Sequence, residues 1–265
     1  MKKVLFTLAI LVMATGAFAQ NGKAERNDSI PRNNWGAKLK ESNFHLGMEL
    51  QTKYIWRGME MITEDAAPVL FPCANYSNKG FYVYVMGGYS VNGKYSELDY
   101  GISYTYKWFT IGLNDYYYPT TTSPFDQYMN YKSKETGHWL EAAITIAPER
   151  VPIFLTVSNF FYGADKYQVV DEEGNTKDKQ AYSTYAELGT YYDFLNDHRL
   201  SLALGAALNK SCYNGYDKNF SICNVELKYT YNLTIKDFSL PLSAMFIYNP
   251  VYNKAHFNFK ASFSF

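Results

Sequence analysis

Phe257-Asn258-Phe259-Lys260-Ala261-Ser262-Phe263-Ser264-Phe265 closes the chain, and in it apolar and polar residues alternate strictly. A period of two is the mark of a β-strand with one apolar and one wet face. A bare row of phenylalanines needs an apolar medium to face. A last strand of this kind is expected to pair with the first, closing a cylinder and removing the free edges of the sheet. Phe257, Phe259, Phe263 and Phe265 then meet lipid, while Asn258, Lys260, Ser262 and Ser264 face the interior.

The other end agrees. Met1-Lys2-Lys3 is a basic start, Val4 to Phe18 an apolar run, and Ala17-Phe18-Ala19 an A-x-A cleavage site. Residues 1–19 therefore read as a cleaved secretory leader. No cysteine follows the site, which argues against a lipid anchor. Residues 20–42 are polar and irregular and read as a flexible periplasmic tail, leaving 43–265 for the barrel. The whole chain balances 25 basic against 25 acidic residues, and loss of Lys2 and Lys3 leaves it near neutral. That offers no basic footprint for nucleic acid.

Past the leader no apolar run reaches the length of a membrane helix, and the mean hydropathy is −0.30. Both facts suit a barrel, because half of each strand faces water. The 26 tyrosines and 18 phenylalanines suit the aromatic girdles of a barrel at the lipid headgroups. Three cysteines are few for a disulfide scaffold. Cys212 and Cys223 flank one loop; a bridge and two small apolar side chains fit the sequence equally.

From Phe44 onward about twelve segments read as strands: 44–57, 67–76, 80–90, 95–106, 108–118, 137–147, 152–162, 181–193, 199–210, 220–232, 238–249 and 254–265. The second is the weakest, because Pro68 and Pro72 cannot donate to a ladder. Every second gap is short, whereas 119–136 and 163–180 are long. Short turns at one end and long loops at the other orient an outer-membrane barrel with periplasmic termini and external loops. The acidic run Asp171-Glu172-Glu173 lacks the ligand spacing of a calcium loop and reads as solvated.

Charge decides which face is which, since a charge toward lipid costs roughly 2–4 kcal/mol at the midplane. In 95–106, Leu98, Tyr100, Ile102 and Tyr104 point out and Glu97 and Asp99 point in. The same test turns Glu49, Lys53, Arg57, Glu141, Glu187, Glu226, Lys228 and Lys260 inward. These ten residues are the expected pore lining. Mixed charges in a cylinder can line a water path or pair and plug it. Barrels near eight strands are filled and those of sixteen or more are open, and twelve lies between.

The first segment ends on Thr52-Lys53-Tyr54-Ile55-Trp56-Arg57-Gly58. Read from the residues, Tyr54 and Trp56 are membrane-interface aromatics, Arg57 points into the mouth and Gly58 permits the turn. This S/T-x-Y-x-W-R-G segment, the later E-x-D element Glu97-Leu98-Asp99 and the terminal aromatic resemble the TorF-type family of small outer-membrane porins of Gram-negative bacteria. The resemblance spans the mature barrel through short motifs. It implies a porin without a settled substrate, and it implies that Phe263 and Phe265 serve as the signal read by the outer-membrane assembly machinery.

A nucleophilic hydrolase needs a base held against a hydroxyl. His45, His138, His198 and His256 sit in no such motif, although His138 beside Trp139 is the one to watch. No Cys/His metal cluster or phosphate-binding glycine loop is present, so no catalytic residue, metal or cofactor is expected. The expectation is an all-β, twelve-stranded up-and-down barrel in the outer membrane, acting as a channel for small polar solutes. Its partners are outer-membrane lipid, lipopolysaccharide and the assembly machinery, with no nucleic acid. A closed barrel whose loops bind a partner is the alternative, and a lipid-modifying enzyme the third reading.

Overall fold

The computed structural model describes residues 43–63, 65–119, 124, 127–235 and 238–264. The expected leader, the tail and Phe265 lie outside these residues. The strands are β1 (Phe44–Gln51), β2 (Ile55–Trp56), β3 (Met59–Glu60), β4 (Val69–Asn78), β5 (Phe81–Ser90), β6 (Ser96–Tyr106), β7 (Phe109–Tyr117) and β8 (His138–Ile146). They continue as β9 (Ile153–Gly163), β10 (Lys166–Val170), β11 (Thr176–Gln180), β12 (Thr184–Phe194), β13 (His198–Ala207), β14 (Ser221–Ile235), β15 (Phe238–Asn249) and β16 (Lys254–Ser264). Twelve of them close a single antiparallel barrel, and β2–β3 and β10–β11 are separate two-stranded hairpins.

Closure is by β1 against β16, in a register that sets Met48 opposite Phe263 and Gln51 opposite Lys260. The twelve expected segments correspond to the twelve barrel strands, with one large difference. The first does not run to Arg57: β1 stops at Gln51 and the chain turns inward. The proline-bearing segment is a full strand, β4. Its ladder to β5 is interrupted at Phe71 and Pro72 and resumes at Cys73 opposite Met86, as expected where an N–H is missing.

At one end the connections are tight. Lys79 and Gly80 have positive φ (46° and 89°), as do Leu195 and Asn196 (50° and 61°), the backbone that primed two-residue turns require. The other end carries the long connections and the β10–β11 hairpin.

Alternation sorts the faces. Val83, Val85, Ile102, Ile111, Leu113, Leu155, Leu188, Leu202, Leu204 and Leu227 are exposed and make an apolar outer belt. The alternate positions are buried and largely polar. Inside, several large side chains lie across a glycine on the neighbouring strand: Phe154 over Gly189, Tyr185 over Gly205 and Tyr84 over Gly101. The missing Cβ is what lets each ring lie flat on the wall. Gly205→Val is therefore expected to lose about 1–3 kcal/mol through overpacking against Tyr185, read from denaturant unfolding in micelles. An unchanged midpoint would mean that the ring is free to move aside.

Candidate functional site

The site is the barrel interior, and its centre is the segment that leaves the wall after Gln51. Asn258 on β16 catches it: its Oδ1 accepts from the Thr52 hydroxyl and from the Lys53 N–H, both at 3.0 Å. Arg57 and Gly58 follow with φ of 50° and 79°, two consecutive left-handed residues that fold Trp56 back onto Met59. The W-R-G motif is thus the tip of a hairpin inserted into the lumen. Its signal in sequence is weak because the first turn position holds an arginine rather than Asn, Asp or Gly.

The far wall holds the tip. The Gly58 carbonyl accepts from Asn249 Nδ2 at 2.9 Å, and the Gly58 Cα faces the Cys223 carbonyl on β14 with no room for a Cβ. Arg57 is buried. Its Nη1 donates to Glu141 Oε1 at 2.6 Å and to the Tyr213 hydroxyl at 2.5 Å. The other Glu141 oxygen accepts from Tyr116 (2.9 Å) and Asn114 (3.2 Å). The guanidinium lies 4.5 Å from the Trp56 ring centre and 4.8 Å from that of Tyr185. Those faces compensate its Nε and Nη2, which make no hydrogen bond among the described residues.

A second inward element meets the hairpin. The connection after β13 makes a 3-10 turn at Cys212–Asn214 that delivers Tyr213, fully buried, beside Trp56 and Phe160. Asn214 ties this turn to the Asn209 and Lys218 carbonyls. The Cys212 N–H donates to Ser183 Oγ, which donates in turn to Asp165 at 2.6 Å. Burial pushes the Asp165 carboxyl above its ordinary range, against the pull of the Ser183 hydrogen bonds. All three cysteines are free thiols, so no bridge joins Cys212 to Cys223.

Tyr54 and Trp56 are not membrane-interface residues. Tyr54 is only 8% exposed and donates to Glu97 Oε2 at 3.3 Å, while Trp56 packs among Tyr116, Phe160 and Tyr213. The chain departs from the wall before their parity applies. Lys53 is likewise on the hairpin, 3.6 Å from Glu60.

Glu49, Glu97, Asp99, Glu141, Glu187, Glu226, Lys228 and Lys260 lie on the inner face. Lys260 meets Glu49 at 3.4 Å across the closure seam, Lys228 lies 3.9 Å from Glu226, and Arg199 grips Asp193 with two hydrogen bonds. Glu97, Asp99 and Glu187 have no basic partner among the described residues. Glu97 accepts from Tyr54 and from Tyr95 (2.6 Å), and Glu187 from Tyr185 and Asn224. Sequence reasoning missed Tyr213, Asn249 and Asn258 as anchors. The two asparagines were legible as inward polar positions, but Tyr213 lies in a loop without periodicity.

His138 sits on the outer side of the wall, fully buried beneath the 127–137 connection. Its Nδ1 bonds Asp115 at 2.8 Å and its Nε2 the Tyr128 carbonyl at 2.5 Å, with Tyr131 stacked at 3.9 Å. A carbonyl only accepts, so Nε2 carries its proton and has no lone pair for a nucleophile. Among the described residues no serine bonds the ring; it pins a loop. No group of three or more His, Cys, Asp or Glu able to hold a metal occurs among the described residues.

No protein-family model matches the chain, and no curated protein matches it. Among solved structures, the KdgM porin aligns over 84% of this chain and 98% of its own at 8% identity, with a TM-score of 0.45. The NanC porin aligns over 83% and 98% at 10% identity, TM-score 0.45. The COG4313 outer membrane channel from Pseudomonas putida F1 aligns over 89% and 98% at 13% identity, TM-score 0.44.

Proposed function

We propose that the chain is an outer-membrane channel of the TorF-type class, passing small polar solutes along a lumen narrowed by the 52–62 hairpin. One observation carries this reading. The interior is obstructed by an inserted hairpin and loop that pack on wall side chains such as Tyr116, Phe160 and Tyr185 and are tied to the wall by individual hydrogen bonds. A segment tethered by individual hydrogen bonds can narrow a path without abolishing it. The aromatic cluster around Trp56 and Tyr213 favours a second reading, a closed barrel whose external loops bind a partner. Lipopolysaccharide around the belt and recognition of Phe263 and Phe265 by the assembly machinery belong to both readings.

The lumen bases Arg57, Arg199, Lys228 and Lys260 each have a carboxylate within 4 Å, and Glu97, Asp99 and Glu187 are acids in excess. The channel is therefore cation-selective. Planar-bilayer recording tests this. Small steps are expected from the intact protein, and larger ones when Tyr54–Met61 is replaced by a Gly/Ser linker. Absence of conductance in both folded proteins sinks the channel. Glu97→Gln with Asp99→Asn is expected to lower the cation preference; an unchanged reversal potential would make those two residues purely structural.

A further inference from the structure

Above the hairpin, at the long-loop end, lies a cavity of about 570 Å³ that opens outward. Its size falls within the roughly 300–1,000 Å³ of small-molecule sites. Five aromatic side chains border it in an unbroken arc. Tyr95 and Tyr118 have ring centres 6.5 Å apart, Tyr118 and Trp139 6.4 Å, Trp139 and Phe160 5.2 Å, and Phe160 and Trp56 6.2 Å. Successive rings are tilted or edge-to-face, at 46° to 84°, so the arc does not collapse into a stack. Met59 and Met61 supply a soft, polarisable floor.

Acidic groups outnumber basic ones around this arc. Behind Tyr95, the Glu97 carboxyl group accepts the phenol hydrogen bond at 2.6 Å, and among the described residues neither Glu97 nor Asp99 has a basic partner. A phenol that donates to a carboxylate presents a more electron-rich ring face. Arg57, the buried cation beneath Trp56, is neutralised by Glu141. On the cavity wall Glu135 adjoins Lys134, and Glu60 faces Lys53 at 3.6 Å. Aromatic faces backed by carboxyl groups that outnumber the nearby bases attract cations and disfavour anions.

We infer that this vestibule is a binding site for an organic cation with an apolar body, a protonated or quaternary amine carrying an aryl or alkyl group. The rings and thioethers take the body and the carboxylate-backed ring faces take the charge. The site stands whether the lumen below conducts or is closed, so its test and the conductance test fail independently.

Two of the four tryptophans, Trp56 and Trp139, border the cavity, which gives a direct readout. The full chain in detergent micelles is titrated with benzyltrimethylammonium, benzyl alcohol and benzenesulfonate while tryptophan fluorescence is followed. Saturable quenching is expected with the ammonium, about tenfold tighter than with the alcohol, and weakest with the sulfonate. Tyr118→Leu is expected to weaken ammonium binding several-fold. Glu97→Gln is expected to weaken the ammonium and leave the alcohol unchanged. Heat-modifiability on gels confirms that each variant is folded, and Trp139→Phe provides a milder change in the same arc. Equal affinity for all three probes overturns the cation assignment. No saturation with any probe, or quenching that persists undiminished in a Trp56→Phe/Trp139→Phe variant, overturns the site.

Discussion

Arg57→Met is expected to destabilise the barrel by about 3–5 kcal/mol, because it leaves Glu141 as an uncompensated charge inside the wall. The Glu141 side chain is fully buried, and Arg57 is its only basic partner among the described residues. The same change removes the guanidinium from between Trp56 and Tyr185 and frees the tip of the hairpin. Conductance should rise as stability falls. Arg57→Lys is not expected to rescue, since an ammonium is strongly hydrated and lacks the flat face that lies on the two rings. Arg57→Met with Glu141→Leu should recover most of the loss, because a pair replaced by apolar groups strands no charge. Denaturant unfolding in micelles measures all three. A single variant within about 0.5 kcal/mol of the parent, the range of an ordinary surface substitution, would show that water already solvates the pair and that it does not hold the hairpin.

Gly58→Ala should cost clearly more than Gly93→Ala. Both glycines have positive φ, 79° and 72°, so each substitution carries the left-handed penalty of about 1–2 kcal/mol. They differ in surroundings. A Cβ at Gly93 meets open space, whereas one at Gly58 runs into the Cys223 backbone carbonyl on β14. The excess at Gly58, about 1–3 kcal/mol on the scale of overpacking, isolates the contact between hairpin and wall. It also strains the hydrogen bond from Asn249 to the Gly58 carbonyl. Equal costs at the two positions would mean that the tip does not press on the wall. Gly58→Val should exaggerate the effect, because a β-branched residue tolerates positive φ least.

The vestibule connects these expectations. Its floor is the hairpin itself, through Trp56, Met59 and Met61. A ligand seated there favours the inserted position of the hairpin by its own binding free energy. Substitutions that loosen Arg57 or Gly58 should therefore weaken benzyltrimethylammonium binding while leaving in place the four rings outside the hairpin, Tyr95, Tyr118, Trp139 and Phe160.

What was legible in the sequence was whatever repeats along a strand. The alternation in Phe257–Phe265 set the face of Lys260, and the inner-face positions of Glu97, Asp99, Glu141 and Glu187 follow from the same period. Proline 72 predicted a ladder defect, and one occurs. Alternation failed where the chain leaves the sheet. Tyr54 and Trp56 carry the right parity and the right chemistry for an interface girdle, yet both lie inside, because Asn258 diverts the chain at Thr52 and Lys53.

The sequence by itself determined a twelve-stranded barrel, its closure, its apolar belt and a charged interior, because each follows from a local two-residue period and from the cost of placing charge in lipid. Only the tertiary structure decided what occupies that interior. Arg57 meets Glu141 across 84 positions of sequence and Tyr213 across 156. The Gly58 tip reaches Asn249 across 191. No local pattern encodes such pairings, because a closed sheet sets distant strands face to face across a lumen that a strand's own period cannot describe.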